Sequence, residues 1–366
     1  MKVIIAGGGT GGHLFPGVAL ASSILARNPS AKIIFIGTER GLEAKVIPKL
    51  GYELRFISAR GFVGKSITEK SKSLMKLLQS IGECRSIIKS FPPDIVYGVG
   101  GYASLPMVFT ASLSKIPTVI LEQNTVPGLA NKILGKFVDA IAITYPETID
   151  YFPKEKVYLT GTPIRKEILL GSRERAIELF GLEEGRMTVL IFGGSLGARK
   201  INKSITEGLS YLIPLKDRIQ IIHQTGEADY SWVAREYQNF AFKATVLPFI
   251  YEMAEAFAVA DLVICRAGAS TVAEITALGK ASILIPYPFA AYNHQEINAR
   301  RLLSRGACEM IVDRELNGEV ISQKIIKILS SPEIKREMEF ASLAFGKANA
   351  AERIIEIGES LIRRKS

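Results

Sequence analysis

The chain has 366 residues, is 48% hydrophobic and carries 46 Lys+Arg against 36 Asp+Glu, a formal charge of +10. At about 150 residues per domain that length points to two domains, and the balance excludes a disordered, fibrous or disulfide-stapled chain. Three cysteines (Cys84, Cys265, Cys308), an odd count with no CxxC spacing, argue against a disulfide framework or a zinc site and fit a reducing cytoplasm.

The first residues, MKVIIAGGG, hold one Lys and a very short apolar run before the glycines, which is not the pattern of a signal peptide. From there short apolar runs alternate with amphipathic stretches long enough for helices. Strands are predicted at Lys2–Ala6, Lys32–Ile36, Ile95–Tyr97, Thr118–Leu121, Ala140–Ile143 and Val157–Leu159. A second series follows at Thr188–Phe192, Ile219–Ile222, Ala244–Leu247, Leu262–Cys265, Ser282–Ile285 and Glu309–Ile311. Runs this continuously apolar are buried on both faces, as in a parallel sheet covered by helices. Each half opens on a strand and a glycine loop, KVIIAGGGTGGH (2–13) and TVLIFGGSLGARK (188–200). The expected class is therefore α/β, with two similar doubly wound domains. Their boundary is expected near TGTPIRKE (160–167), where Gly and Pro break the pattern. From Pro332 the chain reads as a helix ending in the basic tail Arg363, Arg364, Lys365.

Residues 95–114 carry no charge over 20 positions, but Gly98, Gly100, Gly101 and Pro106 interrupt them. A buried strand, a glycine loop and a short helix explain the stretch better than a membrane span. The positive charge is uneven. Residues 60–90 hold seven basic side chains and two acidic ones, a net +5 and half the excess of the whole chain. Nucleic acid, an anionic membrane and an acidic small molecule are the partners such charge admits. No aromatic residues interleave with the basic ones along a stripe, which speaks against nucleic acid.

The motif Gly7-x-Gly9-x-x-Gly12 follows a strand and precedes a helical run, Leu14–Arg27. Its glycines allow backbone amides to approach a diphosphate at a helix N-terminus. Read by itself it suggests a nicotinamide dinucleotide enzyme, but the acid expected after the next strand is represented only by Glu39. A tight turn without a ligand is also open. His13 follows the last glycine directly. It is either a polar residue in a first turn or a general base, kept neutral by the positive end of the helix. Arg266 to Glu274 again follow a strand with small residues. There Thr271-x-x-Glu274 makes a capping box, or Glu274 takes a ribose diol; the pattern leaves both open. Asn293-His294-Gln295 and Glu122-Gln123-Asn124 stand in polar loops after strands, where α/β sheets bind ligands. No Asp-x-Asp occurs, so a metal-clamped diphosphate is not expected, and Arg165 is a candidate to neutralise a leaving group instead. In 67–90, Leu74, Leu77, Ile81, Cys84 and Ile88 form a core-facing helical stripe. Met75 and Leu78 fall beside it near Lys72 and Lys76, as a solvated basic face or a site for docking on an anionic bilayer.

The whole series, GGGTGGH (7–13), GVGGY (98–102), EQNTVPGLANK (122–132), TGTPIR (160–165), GGSLGA (193–198), CRAGASTVAE (265–274) and NHQ (293–295), resembles the motif series of the MurG family across almost the full chain. Members of that family are bacterial UDP-N-acetylglucosamine: N-acetylmuramyl-(pentapeptide) pyrophosphoryl-undecaprenol N-acetylglucosamine transferases. The resemblance implies a GT-B fold, two Rossmann-like domains facing a central cleft. It implies an N-terminal acceptor and membrane domain over 1–163, a UDP-sugar domain over 164–340 and a helix over 341–366 packing back on the first. The implied reaction is inverting and metal-independent, needs no cofactor, and moves N-acetylglucosamine from UDP-N-acetylglucosamine to the C4 hydroxyl of lipid I to give lipid II. The implied setting is peripheral, on the cytoplasmic face of the bacterial plasma membrane.

Carried over by residue, Thr10, Gly11 and Gly12 would lie at the donor sugar and the acceptor phosphates, Asn124 at the donor sugar, and Arg165 and Ser195 at the diphosphate. Ile250 would meet uracil through its backbone. Ala269, Ser270, Thr271, Val272, Ala273 and Glu274 would line the nucleotide, with Glu274 on the ribose, and Gln295 would hold sugar hydroxyls. Many members read HEQN where this chain has Leu121 before Glu122, so a catalytic histidine there does not transfer. The base is then His13, with Glu122 the weaker candidate. Membrane contact is expected through Lys72, Met75, Lys76 and Leu78. A diacylglycerol galactosyltransferase or another nucleotide-sugar enzyme of this fold is the nearest rival.

Overall fold

The structure, a computed structural model, describes residues 1–59, 67–194 and 196–365, without the side chains of residues 67–77 and 291. The chain forms two compact units: Met1–Arg165 together with Lys347–Ser366, and Lys166–Gly346.

The first unit runs β1 (Lys2–Gly7), α1 (Gly11–Arg27), β2 (Lys32–Gly37), α2 (Glu43–Val46), β3 (Glu53–Phe56), α3 (Ile67–Ser90), β4 (Ile95–Gly100), α4 (Ser104–Leu113), β5 (Thr118–Glu122), α5 (Leu129–Leu134), β6 (Ala140–Ile143) and β7 (Val157–Leu159). The strands lie parallel in the order β3-β2-β1-β4-β5-β6-β7. Successive side chains of a strand point to opposite faces, so an unbroken apolar run feeds two cores. Val3 and Ile5 of β1 pack with Leu14 and Leu20 of α1, while Ile4 and Ala6 pack with Cys84 of α3 and with Met107 and Val108 of α4. Strand β3 is absent from the sequence reading. Glu53 and Arg55 alternate there with Leu54 and Phe56, the pattern of a half-wet edge strand rather than a buried one.

The second unit runs α6 (Arg173–Phe180), β8 (Met187–Phe192), α7 (Arg199–Gly208), β9 (Ile219–Gln224), α8 (Tyr230–Asn239), β10 (Ala244–Leu247), α9 (Met253–Val259), β11 (Ala260–Cys265), α10 (Ala269–Ala277), β12 (Ser282–Leu284), α11 (His294–Leu303), β13 (Glu309–Met310), α12 (Gly318–Leu329) and α13 (Pro332–Phe345). Its parallel sheet has the order β10-β9-β8-β11-β12-β13. One core sets Val189, Ile191 and Ile264 against α7, α8 and α12, and the other sets Leu190, Val263 and Cys265 against α9, α10 and α11.

The chain beyond Pro332 is two helices, not the single one expected. α13 ends at Phe345, and α14 (Ala350–Lys365) belongs to the first unit, where Ile354, Ile355 and Leu361 join the core of β1 and α1. Residues 341–346 therefore lie in the second unit, and the first extends to Arg165 rather than 163. The two segments of the first unit meet at Gly161, whose left-handed backbone lies so close to Lys347 and Ala350 that a side chain there would strike them. The core stripe of α3 also differs from the expected one. Among described side chains Ser80, Cys84 and Ile87 are buried, with Ile81 and Ile88 only half-buried beside them. Residues 95–114 form β4, a glycine loop and α4, and no helix among the described residues is long and apolar enough to cross a membrane.

Candidate functional site

In both sheets the strand order reverses direction once, between β1 and β4 and between β8 and β11. Loops at the carboxyl ends of strands beside such a point are where open α/β sheets bind ligands. The candidate residues of each unit gather there.

In the first unit, Gly7, Gly8 and Gly9 all have positive φ, a conformation open to glycine and costly for other residues. The Gly8 amide donates to the Gly100 carbonyl at 3.1 Å, and a side chain at Gly101 would strike the Gly8 carbonyl. GGGTGGH and GVGGY are thus two loops in backbone-to-backbone contact. Thr10 caps α1 by position, Gly11 and Gly12 open it, and the half-buried His13 ring lies against Gly100. Pro16 stands four residues after Gly12 and has no N–H to return to the Gly12 carbonyl. The Gly9 amide is already engaged, donating to the Glu43 carboxylate at 2.6 Å. A dinucleotide site needs that backbone open to pyrophosphate, so the geometry disfavours the nicotinamide reading. The acid in this loop is Glu43, not the exposed Glu39.

Glu122 ends β5 and is buried. Its Oε1 accepts from the Asn124 amide (3.0 Å) and Asn124 Nδ2 (3.3 Å), and its Oε2 from the Gly128 amide (3.2 Å) and Asn131 Nδ2 (2.8 Å). Burial pushes its carboxyl above the ordinary carboxylate range, against the pull of these four bonds. Three donors belong to its own loop and the fourth to the following helix α5, so Glu122 shapes the segment that presents Asn124. Gln123 reaches the other way, its Nε2 donating to the Val99 carbonyl at 3.0 Å, and ties this loop to β4. Arg165 sets its guanidinium 5.1 Å from the centre of the Phe15 ring on α1, a cation–π contact.

In the second unit the glycine loop after β8 turns at Gly194 and Gly197, both with positive φ, and a side chain at Gly197 would strike the Thr225 carbonyl. Ser195 lies outside the described residues. Gln224, at the end of β9, links two loops that sequence reading left separate. Its Nε2 donates to the Gly194 carbonyl (2.8 Å) while its Oε1 accepts from the Ile250 amide (3.0 Å). Helix α10 opens at Ala269 with Gly268 as its N-cap, so Thr271 sits inside the first turn and the capping box expected of Thr271 and Glu274 does not form. Ser270, Thr271 and Ala273 are half-buried along that turn, while Ala269, Val272 and Glu274 are buried.

Arg266 was not singled out for a role, yet it holds the site from behind. Its Nη1 donates to the Ile285 (3.3 Å) and Pro286 (3.1 Å) carbonyls and to Asp313 Oδ1 (2.7 Å), with Lys200 Nζ 3.2 Å from the other Asp313 oxygen. Gln295 Oε1 accepts from the Tyr287 amide at 2.9 Å, fixing the turn of the loop before α11. The bonds of Arg266 reach 19 to 47 positions along the chain, which no local pattern announces.

Of the proposed membrane contacts, Lys72, Met75 and Lys76 have side chains outside the described set. Leu78 is 63% exposed on α3. The neighbouring helix adds Leu113 (57% exposed) and, beside it, Phe137 (45%). Ser112 Oγ donates to the Phe137 carbonyl at 2.8 Å and Phe109 meets the Phe137 ring edge-on at 5.1 Å, so the end of α4 and the turn after α5 form one surface.

Comparison with known proteins agrees with this geometry. Residues 3–143 match the model of the glycosyltransferase family 28 N-terminal domain and residues 188–354 that of its C-terminal domain. The chain is 74% identical over 365 residues, all of both chains, to a UDP-N-acetylglucosamine--N-acetylmuramyl-(pentapeptide) pyrophosphoryl-undecaprenol N-acetylglucosamine transferase of Thermodesulfovibrio yellowstonii. It is 47% identical to the enzyme of that name from Citrifermentans bemidjiense, over 97% of this chain and 98% of the other. The crystal structure of Acinetobacter baumannii MurG superposes with a TM-score of 0.76 at 27% identity, covering 98% of this chain and 99% of that one. Two Rossmann-like units, their loops at the switch points and these matches together make the chain a GT-B glycosyltransferase that belongs to glycosyltransferase family 28.

Proposed function

We infer that the chain transfers N-acetylglucosamine from UDP-N-acetylglucosamine to the C4 hydroxyl of the N-acetylmuramyl residue of lipid I, making lipid II for peptidoglycan synthesis. The observation that carries this is the 74% identity over the full length to a transferase of that name. The acceptor oxygen attacks the anomeric carbon, the bond from that carbon to the β-phosphate oxygen breaks with inversion, and the electron pair leaves with UDP. His13 takes the hydroxyl proton. It stands in the first turn of α1 with its ring against Gly100. Glu122, with its acceptor sites spent on its own loop and on α5, supports Asn124 at the sugar instead of moving the proton.

The second unit holds the nucleotide. The amides opening α10 and those of Gly193 and Gly194 meet the charge that develops on UDP. Glu274 takes the ribose hydroxyls and Gln295 the sugar hydroxyls. The Ile250 amide is committed to Gln224, so the uracil contact falls to the Ile250 carbonyl, which suits the uracil N3–H donor. Labelled-sugar transfer from UDP-N-acetylglucosamine to a lipid I analogue tests the reading. Transfer from UDP-galactose to diacylglycerol in its place would replace it with the rival.

The acceptor lipid is anionic and membrane-bound. We propose that the first unit docks peripherally on the anionic inner leaflet, at the cytoplasmic face, through the surface of Leu78, Leu113 and Phe137 and the lysines of residues 60–90. Lys115 and Lys136, exposed and close in sequence to Leu113 and Phe137, add to the attraction at about 1 kcal/mol per basic residue near an anionic bilayer.

A further inference from the structure

Glu43 is 1% exposed, and its carboxylate lies in a cradle made by the first glycine loop and the turn after β2. A side chain at Gly8, Gly37 or Gly41 would overlap it, so three glycines leave room for this one group. Oε2 accepts from the Gly9 amide at 2.6 Å, and Oε1 from the Thr38 amide (2.9 Å) and the Thr38 hydroxyl (3.0 Å). Two of these donors come from the end of β2 and one from the glycine loop that leads into α1, so the carboxylate joins neighbouring strands at their carboxyl ends. The joint sits four residues before His13. A side chain at Gly9 would point into open space, so side-chain packing does not hold this residue and the bond from its amide does.

We propose that Glu43 is a positioning residue: as the built-in anion of the first glycine loop, it clamps Gly9 and thereby sets the start of α1 that aims His13. This rests on the reading of His13 as the base. A loop of three glycines in unusual conformations is entropically expensive to order. A buried, charge-assisted bond is the kind of contact that can hold it in one geometry before substrate arrives. The clamp requires acceptors on both sides of the group. A glutamine there has one acceptor and one NH2, so either Gly9 or Thr38 then faces a donor, whichever way the amide turns.

Glu43→Gln tests the clamp at nearly constant shape. Expected is a fall in kcat of about tenfold or more with the KM for UDP-N-acetylglucosamine within twofold, and faster amide hydrogen exchange in the peptide covering residues 7–13. In a His13→Ala background the same change should cost less than twofold further, because the aim of an absent base no longer matters. Wild-type kcat with wild-type exchange would overturn the proposal, and so would losses that multiply in full. A fully active His13→Ala enzyme would remove the base assignment alone, and the exchange and kcat of Glu43→Gln would still judge the clamp. If Glu43→Gln does not fold, Thr38→Val removes a single donor to the carboxylate. It should lower kcat about threefold with the same split, and no change would count against the clamp.

Discussion

Gln224 offers the sharpest test of how the second unit holds a nucleotide. It is 2% exposed and bridges the Gly194 carbonyl and the Ile250 amide through bonds of 2.8 and 3.0 Å. In Gln224→Ala both partners lose it, but not equally. Gly194 is exposed and its carbonyl can turn to water, whereas Ile250 is buried and its amide cannot. A buried donor left unpaired costs about 1–3 kcal/mol. Where that cost is met by letting the 248–250 loop move, the loop must be ordered again when uracil binds, and the cost reappears in affinity. At 1.4 kcal/mol per tenfold, the UDP dissociation constant should rise about 5- to 140-fold. Gln224→Glu should do worse, since it keeps an acceptor for Ile250 but sets a carboxylate against the Gly194 carbonyl and the phosphates beyond it. Isothermal titration with UDP at two salt concentrations reads both, and only the Glu variant should gain affinity as salt rises. If Gln224→Ala bound UDP as tightly as the wild type while merely melting earlier, the bridge would be scaffolding and the argument wrong.

Other outcomes follow from the same geometry. His13→Ala should lower turnover by about 10²–10⁴ while changing UDP affinity less than twofold, measured by transfer kinetics and titration side by side; full activity would free His13 of the role. Buried between Tyr237 Oη (2.9 Å) and Asn202 Oδ1 (3.1 Å), His223 has its pKa pushed down from 6.5 to about 3 by desolvation. The unfolded chain therefore binds a proton below 6.5 that the native chain refuses until about 3. Stability from this site is complete above 6.5 and drains away as pH falls through that window, by about 2 kcal/mol at pH 5. Urea unfolding at pH 7.5 and pH 5 should show this slope, and His223→Gln should flatten it. Leu78→Asp with Leu113→Asp should weaken co-sedimentation with vesicles rich in anionic phospholipid while leaving transfer to a soluble acceptor analogue intact. Binding indifferent to lipid charge, salt and these changes would refute the membrane surface.

The architecture was largely legible because its signal is local and repetitive. Apolar runs such as Val3–Ala6 and Val189–Phe192 must bury both faces, and only a helix-covered parallel sheet allows that. β3 escaped because an edge strand wets one side, so Glu53 and Arg55 dilute its pattern. Gly346, the C-cap of α13, marks the break between α13 and α14, a stop signal the reading of one helix passed over. The site was legible as loops but not as a mechanism of support. Glu43 with Gly9, Gln224 with Gly194 and Ile250, and Arg266 with Asp313 are all pairings across distant turns. Their residue types are ordinary, and only the fold decides whom each one meets. Thr271 shows the opposite case: of the two readings its spacing with Glu274 leaves open, the capping box does not form, because Thr271 stands three residues after the Gly268 N-cap.

The return of α14 to the first sheet has a consequence for biogenesis. Gly358 is tucked so tightly beneath the Tyr97 hydroxyl that only a bare α-carbon fits, and Ile354 and Ile355 seal the layer over β1. Residues 1–165 are synthesised before the second unit, yet the first unit stays open on one side until α14 has been made. The later lobe, inserted between the two pieces, can close on itself first. Nascent chains would thus expose the strip of sheet reserved for α14 throughout synthesis of the second unit, and α14 acts as the latch that ends that exposure.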